Sequence, residues 1–330
     1  MVFLKVKELE KLCLNTLDAL HNDDGHYHDF LTAKGEKRTE PARMHPCTPR
    51  LNAIVAMSLS HYKPQMAVPV LEWLETQKTD IGSAGMMLWA YSNLSMWDEC
   101  KPLAKRIKEA ITPLGVKTGV YATSDSSWCL DGLMAYWEKT SENEEEIHAL
   151  ADVISFPRIF RLNGTQQHRV SFNNYIYPIH TLAKYLRVVN DDPVIRDRFL
   201  AILNRTLEKQ GPRGEWWWTF KDYEVVQKYP LFTVHQVAMA PYALKRASLY
   251  LKRSFDKEIK KSFNCALEYG LLAREGFWRL YGYPWFYTTA QRFIEPLPDF
   301  KFLRGVWKVS YCYDMGFTLY AISIGALDKV

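Results

Sequence analysis

Apolar residues recur at helical spacing in one window after another along this chain, and the gaps between windows are short. Windows of this kind cover residues 3–20, 49–62, 66–78, 83–96, 100–112, 126–139, 145–155, 172–189, 193–209, 235–252, 256–273 and 311–326. Short Gly, Pro or Asp breaks separate them. Convincing alternating runs of strand type are very few, so the expected fold class is all-α. No Ser- or Gly-rich linker divides the windows and the apolar density is even, which predicts a single domain over 1–330.

The breaks resemble one another. "LDALHNDDGHY", "LEWLETQKTDIGSAG" and "LNRTLEKQGPRGEW" each close a Leu-rich window with polar residues followed by Gly. Self-similarity at intervals of about one helix pair is the mark of stacked or ring-closed helical hairpins. About six such pairs close into an α/α barrel (toroid), with one set of helices around a central pit and the loops at one end carrying the chemistry.

Composition narrows the function classes. With 330 residues and 48% apolar content the chain can bury a large core. The formal charge of +5 arises from 42 Lys and Arg against 37 Asp and Glu, with no long cationic run. A nucleic-acid partner is therefore not expected, whereas a phosphate- or carboxylate-bearing substrate suits the charge. The cysteines Cys13, Cys47, Cys100, Cys129, Cys265 and Cys312 lie far apart with no CxxC pair and read as reduced thiols of a cytoplasmic protein. "MVFLKVKELEKLCLNTL" has helical periodicity rather than the apolar run of a signal peptide, and no stretch reaches the length of a membrane span.

Three constellations carry candidate chemistry. Trp216, Trp217 and Trp218 stand side by side after a Pro/Gly turn. Adjacent aromatics fit neither helical nor strand amphipathicity. Trp217 and Trp218 are candidates to stack on a sugar ring, with Trp216 assigned to structure. In "YPLFTVHQVAMAP", Pro230 fixes the chain after Tyr229, and a helix from about Val234 sets His235 and Gln236 in its positive first turn. His235 is a candidate general base there, Gln236 a group that orients a hydroxyl, and Tyr229 a further stacking ring. The third stretch, "QQHRVSFNNYIYPIHTL", holds His168, Arg169, Asn173, Asn174, Tyr175, Tyr177 and His180, of which Asn173, Tyr177 and His180 share a helix face. Arg169 and Asn173 would neutralise a substrate carboxylate, His180 would bind substrate, and Tyr177 would move a proton. The bland alternative is a polar helix start ahead of a half-buried helix.

A glycosidase needs two convergent carboxylates, and Glu215, Asp222, Glu224, Asp125 and Asp131 are the candidates. Asp125 also reads as the N-cap of the helix that follows, the reading preferred here. No P-loop, dinucleotide fingerprint, HExxH or G-x-S-x-G occurs. Asp98 and Cys100 with His148 only imitate a zinc set, so no metal or cofactor is evident.

The segment Gln210-Gly211-Pro212-Arg213-Gly214-Glu215-Trp216 resembles the Q-x-x-x-G-x-W repeat of squalene and other terpenoid cyclases. That resemblance implies an α/α toroid, with Gln210 and Trp216 tying helix ends together. "GEWWW", "YPLFTVHQVAMAP" and "YDMGFTLYA" resemble uncharacterised bacterial α/α-barrel proteins associated with polysaccharide gene clusters; Asn173 and Asn174 stand where those relatives tend to carry an acid. The D-x-D-D acid motif of protonating terpene cyclases is absent.

The expected function is an intracellular carbohydrate-active enzyme, a lyase, epimerase or hydrolase, acting on a glycan intermediate, uronate-containing sugars included. Its partner is then a small-molecule or oligosaccharide substrate, and its oligomeric state stays open. The alternatives are an isoprenoid cyclase using Asp125 or Asp131 as a non-standard acid, and a non-catalytic glycan- or lipid-binding scaffold. An isoprenoid site should be almost wholly apolar, a sugar site should set several hydrogen-bonding groups around exposed rings, and a scaffold should have a filled pit.

Overall fold

Two kinds of helix alternate along the chain. The computed structural model describes residues 5–38, 47–117, 122–156, 169–221, 224–227, 231–273, 276–282 and 304–330. Amphipathic helices with one buried stripe are α1 (Val6–Leu20), α3 (Pro64–Glu75), α5 (Trp97–Ala110), α7 (Glu144–Ser155), α9 (Pro193–Glu208) and α11 (Asp256–Glu268). In α5 the buried side chains are Cys100, Ala104 and Ile107, at the spacing of a single face. Between them run α2 (Cys47–Tyr62), α4 (Ile81–Leu94), α6 (Ala122–Thr140), α8 (Asn173–Val188), α10 (Ala240–Leu251) and α12 (Cys312–Ser323). Of these α4 is buried without a break from Ile81 to Ser92. A helix that is apolar all round belongs inside.

The second set forms a closed inner ring. Helix α2 packs on α4, α4 on α6, α6 on α8, α8 on α10, and α12 closes the circle against α2 and the turn that opens α10. Each member of the first set lies outside: α3 on α2, α5 on α4, α7 on α6, α9 on α8, α11 on the turn before α10 and α1 on α12. All twelve helices expected from periodicity are present among the described residues, as six hairpins in an α/α toroid.

Glycine sets the closest approach in the ring. A Cβ on Gly85 of α4 would stand 2.6 Å from the Trp128 carbonyl of α6, and one on Gly132 of α6 would strike the Gly85 carbonyl. Only hydrogen at both positions lets the two backbones touch.

Connections differ sharply between the two ends. Those from an inner to the next outer helix are short: Lys63 alone joins α2 to α3. The connections that lead into inner helices carry the strands, thirteen short ones among the described residues, few of which the sequence reveals. Each has two to four residues, too short for alternation to register. One three-stranded sheet pairs Phe30–Thr32 with Val309–Tyr311, another pairs Arg169–Ser171 with Thr219–Lys221. The elaborated loops therefore lie at the N-terminal ends of the inner helices.

Candidate active site

The starts of three inner helices meet on one guanidinium. Arg50, in the first turn of α2, donates from Nη1 to Asp80 Oδ2 at 3.1 Å and from Nη2 to Asp125 Oδ1 at 2.5 Å. Asp80 is the N-cap of α4 and also accepts from the Ser83 N–H. Burial pulls its carboxyl up, but Arg50 and the Ser83 N–H outweigh burial and hold it below the usual carboxylate range. Burial likewise disfavours the Arg50 cation, and its two carboxylate partners hold it charged. Asp125 does not cap its helix as its position suggests. It lies inside α6, which begins at Ala122, and its 1% exposed carboxylate answers Arg50.

Beside this triad, Tyr177 projects from the second turn of α8. Burial raises the pKa of its phenol, against the pull of Arg50, and the Asp125 charge adds to the rise. The Tyr177 hydroxyl makes no hydrogen bond to a described residue. One turn nearer the mouth, Asn173 keeps its Oδ1 buried without a hydrogen-bond partner. Two oxygens left unmatched at one end of a ring are the complement that a polar ligand requires. Rings from three other inner helices make the floor: Trp128 of α6 lies 4.7 Å from Tyr177 and stacks at 5.8 Å on Phe317 of α12, which Tyr242 of α10 approaches at 5.7 Å.

The tryptophan run divides its work because the segment is extended and neighbouring side chains leave in opposite directions. Trp216 stacks on Phe172, and its backbone N–H and C=O are both bonded to the Gln236 side chain, at 2.9 and 3.1 Å. Trp217 packs on the Gly211 turn and is 4% exposed. Trp218 alone is half-buried, and its ring lies parallel to His235 at 5.3 Å with 16° between planes. His235 opens a π-helical turn, His235–Met239, and Phe172 and Phe232 flank it. Such turns re-aim side chains at functional sites.

The candidates named from sequence thus separate. Trp218, His235, Asn173, Tyr177 and Asp125 all lie at the N-terminal end of the inner ring. Gln236 instead braces a loop, and the Glu215 carboxylate accepts from the Arg213 N–H at 2.9 Å and the Tyr269 hydroxyl at 3.0 Å. Gln210 binds the Gly214 and Glu258 carbonyls, tying helix ends as its motif implies. His180 lies deeper on α8 and is buried, bonded to Asp131 and Tyr320. Asp222 and Tyr229 fall outside the described residues, as does the side chain of Arg169. Arg50, Trp128 and Phe317 went unnoticed in the sequence: Arg50 meets Asp125 across 75 residues, and no local signal marks such a pairing. Among the described residues no group of three or more His, Cys, Asp or Glu is placed to hold a metal ion, and no helix is long and apolar enough to cross a membrane.

No family model matches this chain, and no curated protein matches its sequence. Solved structures do match its fold. Cellobiose 2-epimerase from Bacillus thermoamylovorans B4167 superposes with a TM-score of 0.70 at 11% identity, over 96% of this chain and 98% of that one. A D-mannose isomerase gives 0.69 at 10% identity, over 98% and 97%. A type II terpene cyclase from Scytonema gives 0.54 at 13% identity, over 99% of both chains. The α/α toroid is common to all three, and identities this low carry the fold alone.

Proposed function

We propose that this protein is a carbohydrate-active enzyme that moves a proton on a sugar carbon adjacent to a carbonyl or carboxyl group, as an epimerase, isomerase or lyase does. One observation carries the reading: at the elaborated end of the ring, hydrogen-bonding groups stand over an aromatic floor beside a half-buried ring. Tyr177 and Asn173 offer unmatched oxygens, and Trp218 lies flat against His235. This is the pattern of a sugar site rather than of an apolar isoprenoid pit with one isolated acid.

In this reading Trp218 packs on the C–H face of the sugar and Asn173 accepts from a hydroxyl. His235 and Tyr177, on neighbouring inner helices, take the proton from carbon and return it. The charge that develops on the substrate oxygen is an enediolate, which the Arg50 cation near Tyr177 favours. Asp125 serves less well as the acid of a hydrolase, because its Oδ1 is engaged by the Arg50 guanidinium rather than turned to a leaving group. The fold neighbours named as an epimerase and an isomerase of sugars support the same direction.

The test is solvent exchange. The protein is incubated in D2O with D-mannose, with cellobiose and with a uronate oligosaccharide, and deuterium entry at carbon is followed by proton NMR. Exchange in one of these sugars, lost in Tyr177→Phe and His235→Asn, is the expected result. No exchange in any of them, together with thermal stabilisation by a prenyl diphosphate, would overturn the reading in favour of isoprenoid chemistry.

A further inference from the structure

Below the aromatic floor, at the C-terminal ends of the inner helices, lies a second group of polar side chains that the proposed reaction does not use. Its hydrogen bonds run in one direction. Arg246 Nη2 donates to the Tyr320 hydroxyl at 2.9 Å, and Tyr320 lies 3.0 Å from His180 Nε2. His180 Nδ1 lies 3.2 Å from Asp131 Oδ2, which also accepts from Thr181 at 2.7 Å. Burial, first of all, keeps His180 below its ordinary pKa, so it is neutral near pH 7. It therefore donates from Nδ1 and accepts at Nε2, and Tyr320 accepts from Arg246 while donating to His180. Asp131 Oδ2 is thus occupied by His180 and Thr181.

Asp131 Oδ1 stays buried without a hydrogen-bond partner, and against that one acceptor stand three donor groups. Arg246 Nε is buried with no hydrogen-bond partner. Lys184, 6% exposed, lies over the Trp89 ring, and the nearest carboxylate oxygen paired with it, on Glu138, is 3.8 Å away. His61 accepts from Asn93 at Nε2, at 2.9 Å, which leaves its proton on Nδ1, a donor with no partner among the described residues. These groups sit together: His61 and Tyr320 are 5.0 Å apart by ring centroids, His61 and Trp89 5.2 Å, and the charges of Arg246 and Lys184 both act on His61. His61 and Arg246 are only half-buried, so the group reaches the surface.

The geometry points to a binding site for one small oxyanion at the C-terminal end of the ring, held by Arg246, Lys184 and His61. The ligand chemistry is a phosphate group, free or carried on a sugar. A buried ammonium, a half-buried guanidinium and a neutral N–H donor match its oxygens, and the Trp89 floor lowers the local dielectric, which strengthens each contact. The competing account is that Arg246 and Lys184 only balance the negative ends of the inner helices together with Asp131 and Glu138.

Thermal unfolding at constant ionic strength, set with potassium chloride, distinguishes the two. Inorganic phosphate and glucose 6-phosphate are the probes, on the wild type and on Lys184→Met, Arg246→Met and His61→Gln. The site predicts a rise of about 2 to 4 °C at saturation, absent in the variants and retained in Tyr177→Phe at the opposite end. A larger rise with glucose 6-phosphate identifies a sugar-borne group, and equal rises identify the free anion. No rise in the wild type, or a rise kept in the variants, overturns the site. Should Arg246→Met fail to fold, Lys184→Met and His61→Gln decide. None of these readouts depends on the proposed reaction.

Discussion

Tyr177 is the residue on which the proposed reaction depends most. Its phenol stays protonated and unmatched in a buried position, beside a guanidinium already committed to two carboxylates. Replacing it by Phe keeps the ring that packs on Trp128 and removes only the hydroxyl. Turnover should fall by about 10²- to 10⁴-fold, the usual contribution of a positioned acid or base, with little change in melting temperature. Arg50 makes the opposite prediction. In Arg50→Met the Asp125 carboxylate, 1% exposed, loses a charged partner, and stability measured by urea unfolding should drop by about 3 to 5 kcal/mol. Asp125→Asn leaves Arg50 with Asp80 and should cost less. Losses below about 0.5 kcal/mol in both variants would show that the ion triad does not hold these helix starts together.

At the scale of elements, the π-turn at His235–Met239 and the loop of three tryptophans form one mechanical unit. Gln236 clamps Trp216 through both backbone groups, and the Ser262 hydroxyl of α11 donates to the Gln236 carbonyl at 2.7 Å. Gln236→Leu leaves the Trp216 N–H and C=O buried without partners, at a cost of about 1 to 3 kcal/mol for each group so orphaned. It should also raise KM more than it lowers kcat, because the loop that carries Trp218 loses its anchor; unchanged kinetics would separate the clamp from the site. The sequence made much of this region legible. Helical periodicity located all twelve helices, and the run of aromatics flagged the loop, because both are local patterns. What escaped was direction. A Gln beside a His in a first helical turn reads equally as a substrate ligand or a brace, and only its distance to Trp216 decides. Asp125 looked like a cap because Arg50 is remote in sequence, and the two-residue strands left no alternation to read.

For the whole molecule, the inner ring keeps ionisable groups in two layers with rings between them, and the lower layer couples stability to pH. Burial, with Arg246 and Lys184 adding to it, lowers the pKa of His61 to about 3, and burial lowers His180 despite Asp131. Between the unfolded value of 6.5 and the lowered folded one, the unfolded chain takes up protons that the folded ring refuses. Stability is therefore full above about pH 6.5 and falls as pH drops toward 3, by up to about 1.4 kcal/mol per pH unit for each such histidine. Melting temperatures between pH 7.5 and 4.5 should fall more steeply for the wild type than for His61→Gln. Parallel curves would show that His61 has no part in the acid limb.

Helix α12 closes the ring against α2, whose residues come some 250 positions earlier in the chain by the order of elements. During synthesis the other five inner helices are made first, and until α12 arrives the pit lacks Phe317 in its floor and Tyr320 below it. The growing chain then presents two bare apolar helix flanks, one on α2 and one beside the π-turn, to every other chain in the cell. A protein built this way places its largest risk of aggregation in the interval before the last inner helix is made, and slower translation before residue 312 lengthens that interval.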